Sequence, residues 1–375
     1  MIFTSKSMDK KIKKAIEAYY KRKYLSLATL KLDEGLKNCF LKDNGRFNEV
    51  DLVDIIIQYR KNQAIDFTFD KFRYELKYLN IEVIGDSAFV ELIESHSINY
   101  NCCRKISSKM IGLKHDIYLL EVNNEWKLID DKYNNELDYI INRKRKIDND
   151  LKKYILNELN GKVILSNNKG RGFKTITVNK VYKENKNRAI DEYMNNSRYK
   201  EYFYNRENAV AYAKKYVFKD NDKYKNYNEY GGDCTNFVSQ CIHAGGIPFI
   251  NEGEHRWYWY SDYNRTPSWT SAKFFREYII NSNGSDNKCG VNAYITRFQD
   301  IELGDLVQYR EPTHTMIVTG CLYDEFDEGD PWKNKYDVLI SQHSSDDNGR
   351  LLDYPLSLKP EDKGRVYIKI SSYYK

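Results

Sequence analysis

The feature that most restricts how this chain can fold is a long run of strict alternation broken by a turn. Residues 73–84 read RYELKYLNIEVI, Gly85-Asp86 follows, and SAFVELIESHSINY fills 87–100. Alternation sends successive side chains to opposite faces of a pleated strand, and a Gly-Asp pair between two such runs is hairpin chemistry. HDIYLLEV, Asn123-Asn124 and EWKLIDDKY repeat the arrangement over 115–133. Ahead of the hairpins, Met8 to Lys31 carries Ile12, Ala15, Ile16, Tyr19 and Tyr20 at helical spacing. Val50 to Tyr59 is a second helix candidate with a denser apolar run. Helices followed by antiparallel hairpins predict an α+β unit over residues 1–140.

A length of 375 residues suits two domains. The 60 basic and 54 acidic residues are spread along the chain, and clusters such as Arg143-Lys144-Arg145-Lys146 alternate with acids. That distribution describes a solvated surface better than a polyanion site, so no nucleic-acid partner is expected. No apolar run approaches the 18 residues of a membrane span, and MIFTSKSMDKKIKKAIEAYY lacks the apolar core of a secretory signal. These features give a cytoplasmic expectation, with export by a non-standard route as the alternative. Seven cysteines without framework spacing predict reduced thiols rather than a disulfide scaffold. Neither Cys-x-x-Cys nor His-x-x-x-His occurs, so no metal or other cofactor is expected.

The N-terminal pattern, ending on Glu125-Trp126-Lys127-Leu128-Ile129-Asp130, resembles the cone of nuclear-transport-factor-two-like and SnoaL-like domains. The resemblance implies helices on a curved antiparallel sheet. His96, His115 and Asp131 are the candidates to line such a cone, against the simpler reading of surface or core residues. Residues 141–200 are dense in Lys, Arg and Asn and read as a charged, partly structured connection, with a helix in IDNDLKKYILNELN and a polar hairpin after it. Residues 201–375 form the third segment.

In that segment GGDCTNFVSQCIHAGG, residues 231–246, predicts a helix with Asp233 as N-cap, Cys234 as first helical residue and Gly245-Gly246 as stop. Phe237, Val238, Cys241 and Ile242 form its apolar stripe. The two cysteines separate by position. Cys241 is packing material, whereas Cys234 sits where free N–H groups and the helix dipole lower a thiol pKa. A nucleophilic thiol needs a base, and two strands supply histidines: HTMIVTG opens with His314 and DVLISQH closes with His343. Pairing 320 with 337 places 314 opposite 343 on one face. Cys234 then attacks, His314 carries the proton and His343 orients the imidazole.

These motifs, with Leu303-Gly304-Asp305 before the strand of His314, resemble a bacterial amidase-domain family among the papain-like cysteine peptidases and amidases of NlpC and CHAP type. The resemblance covers about residues 202–372. It implies a papain-like α+β domain with the nucleophile at a helix N-terminus packed on an antiparallel sheet. It implies Cys234 as nucleophile, His314 as base and His343 as the third polar residue. Asp233 and Thr235 match positions that hold a substrate's free amine, with Thr standing where the family has Ser. The implied substrate is a cell-wall-type or other short peptide.

Tyr230, Trp257, Trp259 and Trp269 are candidates for a substrate-stacking wall, with core packing as the alternative for the tryptophans. The acidic loop from Asp324 to Asp330 reads as solvated rather than metal-binding, because its spacing is not that of a calcium loop. The expected activity is cysteine-dependent amide hydrolysis. A protein-modifying deamidase or acyltransferase with the same triad, and a non-catalytic peptide-binding module, are the alternatives.

Overall fold

In a computed structural model of the chain, the described residues are 6–41, 48–63, 65–133, 173–176, 198–310, 314–324, 330–344, 349–359 and 364–375. The helix and hairpin expected within 147–184 fall outside them, apart from one short strand at 173–176, as does most of the acidic loop. The architecture is mixed α/β with mostly antiparallel sheet, and it divides into two compact units. One is Met1–Arg171 with Asp347–Gly349 and Leu358–Asp362; the other is Gly172–Asp346 with Arg350–Ser357 and Lys363–Lys375.

The first unit begins with α1 (Lys6–Thr29), whose Ile12, Ile16, Tyr19, Tyr20 and Tyr24 are buried along one face. Helix α2 (Glu49–Lys61) starts with a capping box, in which Asn48 accepts from Val50 and Asp51 while Asp51 accepts from the Asn48 amide. Four antiparallel strands follow: β1 (Phe69–Ile84), β2 (Ser87–Tyr100), β3 (Ser108–Val122) and β4 (Glu125–Tyr133). The two hairpins turn where the sequence predicts, at Gly85-Asp86 and at Asn123-Asn124, whose φ angles of 52° and 66° suit a tight two-residue turn.

Two bulges decide what the interior of this unit contains. Register slips between Glu94 and Ser95 at Gly112 (φ +91°), and between Tyr118 and Leu119 at Ile129. Each extra residue reverses the alternation beyond it. Met110 faces inward before the first bulge and His115 after it; Leu128 faces inward before the second and Asp131 after it. The result is a sealed ionic cluster. His115 Nδ1 donates to Asp131 at 2.7 Å, its Nε2 lies 3.1 Å from Glu94, and Lys23 Nζ lies 2.9 Å from Glu49. Tyr19 donates to Asp131 at 2.7 Å and Tyr24 to Glu94, which also lies 3.3 Å from His96 Nδ1. Burial works to lower the His115 pKa, but Asp131 and Glu94 outweigh it and hold the imidazole at about 9. Burial likewise opposes the charge on Glu94, yet hydrogen bonds from His115 and His96 keep its carboxyl well below the ordinary range.

In the second unit, β5 (Phe173–Ile176) and β6 (Glu201–Phe203) precede α3 (Arg206–Tyr216) and α4 (Cys234–Ala244). A small ribbon of β7 (Trp259–Ser261) and β8 (Asn264–Arg265) leads through one helical turn to α5 (Ala272–Asn281). Strands β9 (Gly290–Thr296), β10 (Leu306–Tyr309), β11 (His314–Asp324), β12 (Lys335–Gln342), β13 (Arg350–Pro355) and β14 (Arg365–Tyr374) complete it. The antiparallel order is β13-β12-β11-β10-β14-β6, with β5 on β11 and β9 on β14. Helices α3, α4 and α5 cover the sheet through Ala209, Phe237, Val238, Cys241, Ile242 and Phe275, which meet Leu306, Ile317 and Ile368. Each large apolar side chain so buried contributes about 1.5–3 kcal/mol, which fixes α4 against β11.

Candidate active site

The entrance of α4 is built by its own sequence. Gly231 and Gly232 take φ angles of 100° and 114°, a region closed to most L-residues, so only this pair carries the chain sharply into the helix. Asp233 occupies the N-cap position, but its carboxylate makes no capping hydrogen bond. Instead it accepts from the Tyr227 amide at 2.9 Å, from Asn236 Nδ2 at 2.8 Å and from His343 Nδ1 at 2.7 Å. His343 donates through Nε2 to the Tyr216 carbonyl at 3.0 Å and stacks on Phe237 with 4.0 Å between ring centroids. Asp233 and His343 are both buried, 2% and 3% exposed, so neither faces solvent or a ligand.

This corrects the expected role of His343. The predicted register set 314 opposite 343, whereas Ile317 pairs with Ser341 and, beyond a bulge at Thr319, Gly320 pairs with Leu339. Continuing the observed register sets position 343 level with Thr315, and a one-residue displacement exchanges the faces of a strand. Both ring nitrogens of His343 are bonded to Asp233 and the Tyr216 carbonyl, so its imidazole is not the group that orients His314.

Cys234 and the strand of His314 do come together. Thr235 Oγ1 lies 3.1 Å from Thr315 Oγ1 and 3.7 Å from the Cys234 sulfur, and Gln308 Nε2 donates to Thr315 Oγ1 at 2.9 Å. Main-chain hydrogen bonding from Thr315 and Thr235 favours the Cys234 thiolate. Thr315 is the second residue of β11, so the first turn of α4 lies beside the start of that strand. The Thr315 nitrogen is covalently joined to the carbonyl carbon of His314, the first residue of β11. Burial is the largest influence on the thiol and pushes its pKa up; the hydrogen bonds from Thr315 and Thr235 oppose it without reversing it. The helix terminus favours the thiolate, and burial acts in the opposite sense.

A cleft of about 240 Å³ ends on the half-buried Cys234. Tyr227, Tyr230, Gly231, Thr235, Arg265 and Ala272 are among its walls. Tyr230 is largely exposed, with Lys225 Nζ 4.5 Å from its ring centroid. A wider depression of about 450 Å³ over Tyr212 and Tyr216 has no cysteine, histidine or carboxylate on its walls.

The tryptophans divide. Trp257 and Trp269 are fully buried, their indole nitrogens donating to Ser239 Oγ at 3.1 Å and Asn236 Oδ1 at 2.8 Å. They pack α4 against the aromatic segment and present no face for stacking on a substrate, which corrects their expected place in a cleft wall. Trp259 is partly buried and acts at one remove, donating to the hydroxyl of Tyr227 at 3.1 Å. Asp233 is likewise occupied by protein partners rather than turned to a substrate amine. Arg265, Tyr227 and Thr315 are the site residues that the sequence motifs did not single out. Among the described residues, no group of three or more His, Cys, Asp or Glu is arranged to hold a metal ion, and no helix is long and apolar enough to cross a membrane.

Comparison with known proteins finds similarity over this part of the chain. Residues 203–368 match the family described as "Putative amidase domain". That stretch contains α3, α4, the cleft and β10 to β12. Two uncharacterised proteins of Bacillus subtilis (strain 168) are similar over shorter stretches. YjcM is 38% identical over 101 residues, covering 27% of this chain and 21% of its own length. YhbB is 37% identical over 110 residues, 28% of this chain and 32% of its own. The chain thus spans about a fifth and about a third of these relatives. Among solved structures, a "Putative Scytalone Dehydratase" from Novosphingobium aromaticivorans overlaps 32% of this chain and 79% of its own, with 16% identity and a TM-score of 0.24. A protein from Planctomyces limnophilus overlaps 32% of this chain and 91% of its own, with 12% identity and the same score of 0.24.

Proposed function

We propose that the second unit is a cysteine-dependent amide hydrolase acting on short peptides, with cell-wall-type peptides as the substrate class. The observation that carries this reading is the position of Cys234, a thiol on the first residue of α4 that ends an open cleft beside the first residues of β11. The match of residues 203–368 to an amidase-like family supports it.

In the proposed reaction His314 takes the thiol proton as the sulfur attacks the amide carbonyl, since burial keeps the resting thiol protonated. A C–S bond forms, and the carbonyl oxygen gathers charge next to main-chain N–H groups at the start of α4, where donors already aligned need no reorganisation. The C–N bond then breaks, and His314 returns its proton to the departing amine. Water attacks the thioester, giving the carboxylic acid and the free thiol. Asp233 and His343 are positioning residues: their hydrogen bond and the bond to the Tyr216 carbonyl hold the helix entrance that presents the sulfur.

The test is hydrolysis of a panel of short peptide amides, including wall-type peptides, with rapid acid quench and mass measurement of Cys234. Cys234→Ala is expected to lose activity by about 10⁴-fold or more, while Cys241→Ala retains it. Hydrolysis that survives Cys234→Ala, or turnover with no acyl group ever found on Cys234, defeats the reading.

A further inference from the structure

Arg265 stands in the cleft with its hydrogen-bonding capacity largely open. A guanidinium has five N–H donors in a fixed plane. Nη1 of Arg265 donates to Thr270 Oγ1 at 3.3 Å. Its Nε is 3.9 Å from Asp262 Oδ1, too long for a hydrogen bond, and that nitrogen is buried without a hydrogen-bond partner among the described residues. Asp262 is already engaged: Lys225 Nζ donates to it at 2.9 Å and the Tyr227 hydroxyl at 3.0 Å. The guanidinium carbon lies 4.7 Å from the centroid of the Tyr227 ring, which steadies the group, and the side chain remains 29% exposed. No Asp or Glu is among the residues lining the cleft. A part-buried cation held on an aromatic ring, without a bidentate partner, is complementary to one ligand chemistry in particular: a carboxylate.

We propose that Arg265 is a specificity residue, and that the cleft takes peptides carrying a carboxylate close to the amide attacked by Cys234. This rests on the amide-hydrolase reading for the identity of the ligand but not for its detection. The carboxylate has two sources, a chain terminus or an acidic side chain, and the guanidinium binds either by two parallel N–H···O bonds.

The experiment measures protection of Cys234 from iodoacetamide, read by peptide mass on the full chain, so it needs no turnover. Three probes separate the sources: N-acetyl-alanyl-alanine with a free terminal carboxylate, its terminal amide, and N-acetyl-alanyl-glutamate amide with only the side-chain carboxylate. At least one acidic probe is expected to protect at a concentration about tenfold below the neutral one, in wild type and not in Arg265→Gln. Arg265→Lys, which keeps the charge and loses the fork, is expected to fall between them; thermal melting checks that each variant is folded. Equal protection by all three probes, protection by none, or a preference that persists in Arg265→Gln overturns the proposal. Hydrolysis of neutral and acidic amides at equal rates leaves the amide-hydrolase reading standing and removes this one. Carboxylate protection without hydrolysis of any amide does the reverse.

Discussion

The two units each bury a polar cluster, and the clusters are finished differently. In the first, Lys23, Glu49, Glu94, His115 and Asp131 are all buried, and each charge meets an opposite charge within 3.1 Å. Tyrosine hydroxyls from α1 and β4 add bonds to Asp131, Glu94 and Glu49. In the second, Asp233 and His343 are sealed in the same manner, but the neighbouring thiol and guanidinium border open space. A cluster whose charges are answered from within fixes a fold, and removing one member leaves a charge stranded. A cluster left incomplete at a cleft can bind or react. On the proposed reading, the charge density of the first unit serves stability and the sparser chemistry of the second serves hydrolysis.

The severest way to break this contrast is Asp131→Asn. The substitution leaves His115 and Lys23 facing a neutral amide in a sealed interior, and stranding a buried charge costs about 3–5 kcal/mol. Urea denaturation followed by tyrosine fluorescence is expected to show that loss, while hydrolysis per folded molecule at Cys234 stays within about twofold of wild type. A variant that stays as stable as wild type, or that stays folded and loses hydrolysis, would place the working chemistry in the first unit.

A smaller effect comes from pH. His115 is held at about 9 in the folded chain against its ordinary value near 6.5. Its contribution is complete below the unfolded value and disappears as pH rises through the folded one. The carboxylates behave in the opposite sense: Glu94 and Asp131 are held low, so their contribution is complete above the ordinary carboxylate range and fades in acid. The first unit should thus be most stable between about pH 5 and 6.5. Between pH 6.5 and 10 it should lose on the order of 2–3 kcal/mol, and His115→Gln should flatten that slope. A stability curve level across that range in wild type means that His115 does not carry the charge assigned to it.

How far the sequence alone reached follows the same division. Both hairpin turns, the first two helices and the place of Cys234 on the first turn of α4 were legible, because each depends on local periodicity or turn chemistry. His115 and Asp131 were named as candidates, yet their shared interior position was not legible. Strict alternation from Met110 and Leu128 would turn both outward, and only the bulges at Gly112 and Ile129 reverse it. The bulge at Thr319 hid the partner of His343 in the same way. Trp257 and Trp269 were ambiguous because burial of an indole depends on which helix it meets, here α4 through Asn236 and Ser239. Arg265 was invisible inside its aromatic segment, since its direction is set by a ribbon of two very short strands.

The smallest expected effect sharpens the contrast at the thiol itself. Two opposing influences act on Cys234: the helix terminus and the N–H groups of Thr315 and Thr235 favour the thiolate, and desolvation favours the thiol. Desolvation is larger than the hydrogen bonds. Alkylation by iodoacetamide in the absence of ligand should therefore run slower than that of a free thiol at pH 7, and should still be climbing above pH 9. His314→Gln should leave this resting profile nearly unchanged, because the histidine takes the proton during attack and does not hold an ion pair beforehand. The rate of peptide hydrolysis, by contrast, should fall by about 10²–10⁴-fold in the same variant. A Cys234 that reacts faster than a free thiol at pH 6, and loses that reactivity in His314→Gln, would be a preformed thiolate–imidazolium pair. The cleft itself would then hold a completed ion pair, and the difference between the two clusters would be one of exposure rather than of unfinished bonding.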